Sequence, residues 1–233
     1  MNILALDTAV SVLSTALASG PEREIRYAEF DTGLNPRGLR HSELLMDMAD
    51  ALLKSAGIGP AGLDMTACMR GPGSFTGLRI GFAAAKGIAG ALGIPLVSVP
   101  SLDCMAAPFG AWPGLVIPAI DARKGRFFTA IYREGRQMTP PMDAEPAAIA
   151  AAIAAAASPA PLLLTGPDAP ALMDALKAAG EFPPGLELCL DPHHREGNAK
   201  NLLLLSEQLY ILGKLDALDS GPEYLRKSDA ELS

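Results

Sequence analysis

Twice along this chain a short apolar run ends in aspartate and opens the same succession of elements. In the first half, strand signals cover Asn2–Thr8, Ser11–Ala18 and Glu22–Phe30, with Gly20-Pro21 as a turn. Asp31–Arg40, carrying Gly33, Pro36 and Gly38, reads as a loop. Ser42 then stands where a cap would open a helix to Ala56, and Gly57 stops it. A strand over Leu63–Arg70, a glycine-rich turn, a helix over Thr76–Leu92 and a strand over Pro95–Val99 follow. The second half opens on Leu115–Asp121, continues with a strand over Arg126–Arg133 and turns back at Gly135. A helix over Ala144–Ala157, a strand over Pro161–Gly166, a helix over Ala169–Ala179, a strand over Gly185–Leu190 and a helix over Ala199–Leu212 complete it. A βββαβα order written twice constrains the chain to an α/β architecture of two similar lobes. The expected boundaries are 1–108 and 109–215, with a tail at 216–233.

What such lobes do is narrowed by charge. The 233 residues carry 19 Lys+Arg against 26 Asp+Glu, a net charge of −7. Tight binding to nucleic acid by one chain alone needs clustered cations that release counterions, and this balance argues against it. With 49% apolar residues the chain has ample surface to bury and is not disordered. The first apolar stretch is stopped by Asp7 with no basic residue ahead of it, so no export signal is expected. The longest apolar run, Ala147 to Ala157, falls well short of the roughly 20 residues of a spanning helix. Cys68, Cys104 and Cys189 are odd in number, far apart and set among apolar neighbours. Buried thiols in a reducing compartment follow, and a cytoplasmic location is expected.

The most distinctive segment is Arg70-Gly-Pro-Gly-Ser-Phe-Thr-Gly-Leu-Arg-Ile-Gly81. Gly71 and Gly73 permit backbone angles that other residues resist, and Ser74 or Thr76 can cap the helix that follows. Two readings stand: an anion cradle at a helix N-terminus, or a tight turn that lets strand and helix pack closely. It is not a P-loop, since no Gly-Lys-Ser/Thr follows at the required spacing. Asp7-Thr8 and Asp121, ending the two opening strands, carry a similar choice between holding a magnesium ion or a water between lobes and capping a turn.

The helix after the turn is apolar nearly all round. Leu78, Phe82, Ala85, Ala89 and Leu92 line one face, and Ile80, Ala83, Ala84, Gly87, Gly90 and Ala91 cover much of the rest. Past its opening turn only Lys86 is charged. Such a helix needs cover on both sides, and a sheet supplies only one. Leu44, Leu45, Met48 and Leu52 form the stripe of the neighbouring helix, beside Met46 and Leu53. A partner surface made of both helices is expected; the alternative is cover by the second lobe or the tail. On this reading a charge at Ala85 or Ala89 would block docking and leave the fold intact.

A metal centre finds little support. His193 and His194 are adjacent and point apart, and His41 is remote from both. No cysteine has a histidine nearby in sequence, so no cysteine nucleophile is expected.

The strings HSELL, RGPGSFTGLRIG, AKGIAGALGIPLVSVPSLD, IDARKGRFFTAIY and PEYLR together resemble the TsaB family, also called YeaZ. The resemblance spans most of the chain and is least distinctive over Asp143–Leu215. It implies the two-lobed actin-like, Hsp70-like ATPase (ASKHA) fold, a duplicated βββαβαβα unit. It also implies a role in making N6-threonylcarbamoyladenosine in tRNA as a non-catalytic subunit. The transfer itself belongs to the partner TsaD, and the ATPase TsaE joins the pair. TsaD carries a histidine pair just after the strand equivalent to Pro95–Val99; here Ser101 and Met105 stand in those places, and neither replaces imidazole. The resemblance further implies docking of the first-lobe helices onto TsaD, or onto a second copy when TsaD is absent, and access to tRNA only through the complex. ATP or ADP with magnesium at the TsaD joint is the one cofactor it brings into view. Two other activities fit the superfamily: an ATP-dependent enzyme using Asp7, Thr8, Gly71, Gly73, Ser74 and Asp121, and a glycoprotease-like metallopeptidase.

Overall fold

A computed structural model describes residues 1–31, 41–156, 161–179, 186–217 and 219–226. The expected loop at 32–40, Ala157 and Gly185 lie outside the described residues. The chain divides into two compact units, Met1–Cys104 with Gly197–Glu223, and Met105–Glu196 with the segment from Tyr224 onward.

The first unit is built on β1 (Ile3–Asp7), β2 (Val12–Ser19), β3 (Glu24–Asp31), α1 (His41–Ser55), β4 (Met65–Gly71), α2 (Phe75–Leu92), β5 (Leu96–Pro100) and the start of α3 (Ser101–Ala106). Its sheet has the order β3-β2-β1-β4-β5. The β1–β2–β3 meander is antiparallel, whereas β1, β4 and β5 run parallel. Every residue of β1 and β2 is buried, as happens when a sheet is covered on both faces. Alternation along the strands assigns the two covers. Leu4, Leu6, Leu13 and Leu17 meet Leu45, Ala49, Phe82, Ala85 and Ala89 of α1 and α2. The opposite face, with Asp7 and Ser14, meets the start of α6 (Ala199–Ile211).

Local signals explain most of these elements. Ser74 caps α2 by accepting the Gly77 N–H at 3.2 Å, and Gly93 closes it in the left-handed conformation at φ +66°. His41 already belongs to α1, so Ser42 lies inside the first turn and is not the residue before the helix. No helix was expected over Ser101–Ala106; its 6 residues are too few to display a 3.6-residue period.

The second unit repeats the plan. After β6 (Leu115–Asp121) come β7 (Phe127–Thr129), β8 (Tyr132–Arg133), β9 (Arg136–Gln137) and β10 (Met142–Ala144). The helices α4 (Pro146–Ala156) and α5 (Ala169–Ala179) flank β11 (Leu162–Thr165), and β12 (Leu188–Leu190) ends the sheet. The order β10-β7-β6-β11-β12 matches β3-β2-β1-β4-β5 position for position. Ile149, Ile153, Leu172 and Leu176 pack on Leu115, Ile117, Leu162 and Leu164. The single strand expected over Arg126–Arg133 is broken at Ala130-Ile131. There the Ile131 N–H turns to Thr139 Oγ1 at 3.0 Å, and its carbonyl accepts the Met138 N–H.

Two expected boundaries move. Helix α6, assigned by sequence order to the second lobe, belongs to the first unit, because Asp7 and Ser14 receive the N–H groups that open it. The tail is shared: Asp216, Ser220 and Glu223 pack on the first unit, and Tyr224, Leu225 and Arg226 belong to the second. On the first unit, Asp216 pairs with Leu96 as an antiparallel bridge, and its carboxylate accepts the Ser98 N–H and hydroxyl. Lys86 Nζ reaches Ser220 O at 2.7 Å, and Glu223 N–H donates to Arg70 O at 2.9 Å. Among the described residues no helix is long and apolar enough to cross a membrane.

Candidate functional site

The glycine-rich turn joins β4 to α2 and lies against the turn between β1 and β2. Ser74 N–H donates to Ala9 O at 2.7 Å, and Thr8 Oγ1 donates to Gly77 O at 2.7 Å. A Cβ on Gly73 would stand 2.5 Å from Ala9 O, and one on Gly77 would stand 2.0 Å from Thr8 O. Gly71, at φ +120°, leaves the same kind of room for Glu223 O. Of the two readings of this turn, close packing is the one realised. Gly71, Gly73 and Ser74 receive the chain's own backbone, and the residues there do not fit a phosphate.

Asp7 and Thr8 are likewise engaged inside the unit. The Asp7 carboxylate is fully buried and accepts the Ala9 N–H at 3.0 Å, the Asn198 N–H at 3.1 Å and the Ser14 hydroxyl at 3.4 Å. Burial pushes its carboxyl above the ordinary carboxylate value, against the pull of those donors and of His41. Asp121 makes the matching turn in the second unit. Its Oδ1 accepts the Arg123 N–H at 2.7 Å, and Asp168 Oδ2 accepts the Asp121 N–H at 2.7 Å. Both aspartates therefore cap turns, each taking the N–H two residues on.

Ser101 and Met105, in the places of the TsaD histidines, are 0% and 2% exposed. The buried Ser101 hydroxyl has no hydrogen-bond partner among the described residues. Burial pushes the Cys68 and Cys104 thiols up, away from nucleophilic reactivity. His193 Nδ1 meets Glu196 at 2.6 Å, and His194 Nδ1 meets Asp191 O at 2.8 Å. Among the described residues no three His, Cys, Asp or Glu side chains gather as metal ligands.

The helix pair needs the largest revision. Leu45, Leu52, Leu78, Phe82, Ala85 and Ala89 were expected to face a partner, but all are buried in the unit's own core. They are the large apolar stripe, and the sheet claims it first. Leu44, Met48 and Leu92 are half-buried at its margin. The outward face consists of other residues. Met46 is 50% exposed on α1, and Ala83, Gly87, Gly90 and Ala91 are exposed on α2. Among the described residues, nothing lies within 4 Å of a Cβ built on Gly87 or Gly90. Exposed Glu43, Asp47 and Asp50 edge the α1 side. The signal was present in the sequence as small residues opposite large ones. The large ones mark the core, and the small ones mark the surface that another backbone can approach.

Comparison with known proteins accounts for the doubled sheet. A profile of the family described as TsaD, tRNA N6-adenosine threonylcarbamoyltransferase, matches residues 25–184. The Bacillus subtilis tRNA threonylcarbamoyladenosine biosynthesis protein TsaB is 37% identical over 133 residues, 57% of this chain and 56% of that protein. The chain thus spans about half the length of the curated relatives it matches. A Pseudomonas aeruginosa protein described as similar to the peptidase YeaZ superposes with a TM-score of 0.77 at 27% identity, covering 97% of this chain and 99% of that one. The ethanolamine utilization protein EutJ from Carboxydothermus hydrogenoformans shares the fold alone, with a TM-score of 0.55 at 11% identity over 88% and 89% of the two chains. The duplicated sheet order is that of the actin-like ATPase fold. The profile match over more than half of its length puts the chain in the family that the TsaD profile describes, and its TsaB and YeaZ relatives support a TsaB (YeaZ) assignment within it.

Proposed function

We propose that this protein acts in the synthesis of N6-threonylcarbamoyladenosine in tRNA as a non-catalytic subunit that supports a TsaD-type transferase. The observation that carries this reading is the outward face of α1 and α2, exposed alanines and glycines on α2 and exposed Met46 on α1, which no described residue of the unit covers. A surface of that kind suits a second pair of helices of similar make, since the absent side chains let two backbones approach closely. A TsaD-type protein is the natural supplier, because the TsaD profile matches this chain across the same helices. In the absence of that partner a second copy of this chain takes its place. A TsaE-type ATPase joins the pair, and tRNA is reached through the complex, consistent with the acidic charge of −7.

The test is co-purification with a TsaD-type protein, followed by a modification assay with each subunit omitted in turn. Ala83→Glu and Gly87→Glu place a charge on the outward face without entering the core. Each is expected to weaken the complex at least about tenfold without lowering the urea midpoint of the isolated chain, which Gly87→Glu should raise slightly through helix propensity. A complex of unaltered affinity with both charges present would show that the docking face lies elsewhere. Magnesium-dependent ATP hydrolysis by the pure chain would overturn the non-catalytic assignment and favour an ATP-dependent enzyme.

A further inference from the structure

The outward face of α2 is smooth because Gly87 and Gly90 stand in the helix interior. Glycine there weakens a helix, so the same residues that leave room for another backbone also loosen the element that carries them. Two cross-links act on consecutive residues just before Gly87. Thr66 Oγ1, on β4, donates to Ala85 O at 3.2 Å. Lys86 Nζ donates to Ser220 O, 134 residues further along the chain, at 2.7 Å. Lys86 is the one charged residue of α2 past its opening turn, and it is half-buried, where a charge-assisted bond counts for more than at an open surface.

The acceptor of that bond is itself held. Before Ser220, Asp216 forms an antiparallel bridge with Leu96 at the β5 edge, and its carboxylate accepts the Ser98 hydroxyl at 2.9 Å. After it, Glu223 N–H donates to Arg70 O at 2.9 Å, near the end of β4. Ser220 N–H closes a turn on Ala217 O at 3.0 Å. The Ser220 carbonyl is therefore offered from a segment tied at both ends to the sheet beneath α2. Helical spacing sets Lys86 at the border of the outward face, with Ala83 three residues before it and Gly90 four after.

We propose that the tail is a strap which, acting through Lys86, fixes α2 in the position in which it docks. Lys86 and Asp216 are then positioning residues for docking, through the tail and not through contact with the partner. This rests on the reading that the outward face of α1 and α2 is the docking surface. A face without large side chains draws its affinity from the fit of one backbone against another, so ordering it beforehand lowers the cost of binding.

The experiment compares Lys86→Met, Asp216→Ala and the double variant in the full chain. Hydrogen exchange is read on the free chain, and affinity is read against a TsaD-type protein. Methionine keeps the aliphatic stem of Lys86 and removes the donor. In each variant, exchange at the amides of residues 87–92 is expected to rise at least about fivefold, with β1 unaffected. Affinity is expected to fall about fivefold. Both substitutions release the same strap, so the double variant is expected to lose no more than the weaker of the two single ones, whereas unrelated defects would add. Lys86→Arg keeps a donor of similar reach and is expected to hold affinity within about twofold of the parent. Weakened binding by Ala83→Glu beside full affinity in Lys86→Met and Asp216→Ala would overturn the strap and leave the docking surface standing. Full affinity in Ala83→Glu would overturn the docking surface and the strap with it. Additive losses in the double variant, or unchanged exchange over 87–92, would also overturn the strap.

Discussion

Asp7 shows how much one buried side chain can organise. It holds the turn after β1 and the opening of α6 together, and it does so as an acid that burial has made harder to ionise. A carboxyl held above its unfolded value of 3.8 binds its proton more tightly in the native state. Its contribution to stability is then fullest below that value and is lost as the pH rises through the native value. Asp7→Asn is expected to remove that pH-dependent contribution and to cost about 1–3 kcal/mol at low pH through the lost acceptor. Urea midpoints of the two proteins should draw closer as pH rises; a constant gap would refute the assignment. The glycines separate in the same way. Gly77→Ala forces a Cβ to within 2.0 Å of Thr8 O and is expected to cost about 2 kcal/mol or more. Gly87→Ala and Gly90→Ala meet open space in mid-helix and should each stabilise the isolated chain by about 0.5–1 kcal/mol. If the helix face docks as proposed, the same two changes weaken the complex, and comparing the two readouts separates folding from docking.

At the level of elements, the tail explains motifs that look catalytic in the sequence. Arg70 and Gly71 open the turn that reads as an anion cradle and Lys86 lies on the helix after it, yet Arg70 and Gly71 receive Glu223 and Lys86 reaches Ser220. Replacing Asp216 by Ala removes the partner of Ser98. Hydrogen exchange at the Asp216 and Ser98 amides is expected to accelerate, with β1 unaffected. In the second unit, Arg226 grips both Asp143 carboxylate oxygens, at 2.7 and 2.8 Å, and donates to Ala122 O at 2.9 Å. It thereby braces β10 and the turn after β6, where Arg123 and Lys124 hold positive φ. Arg226→Ala should cost about 1–3 kcal/mol and raise exchange in residues 122–126; a silent substitution would show the grip to be dispensable. The sequence-derived stripe of α2 was right in phase and wrong in direction. Periodicity locates an apolar face but does not say whether a sheet or another molecule covers it.

Across the whole molecule, the first unit is discontinuous, and that decides how it can be divided. A fragment ending at Cys104 lacks α6, which covers the Asp7–Ser14 face of the sheet. Such a fragment is expected to lack a cooperative unfolding transition, whereas the full chain has one; a folded fragment would contradict this account of the core. The duplicated βββαβα order, the apolar phases of the helices and the aspartate-ended strands were all determined by the sequence alone. They are properties of nearby residues, set by pleat, helical period and turn chemistry. The allegiance of α6 was not, because the Asp7 carboxylate and the Asn198 amide that secure it lie 191 residues apart. Nor was the fate of the glycine turn, which depends on Thr8, Ala9 and Glu223 arriving at its surface. Spacing along a chain states which groups a segment offers; only the folded backbone decides which other segment reaches them first.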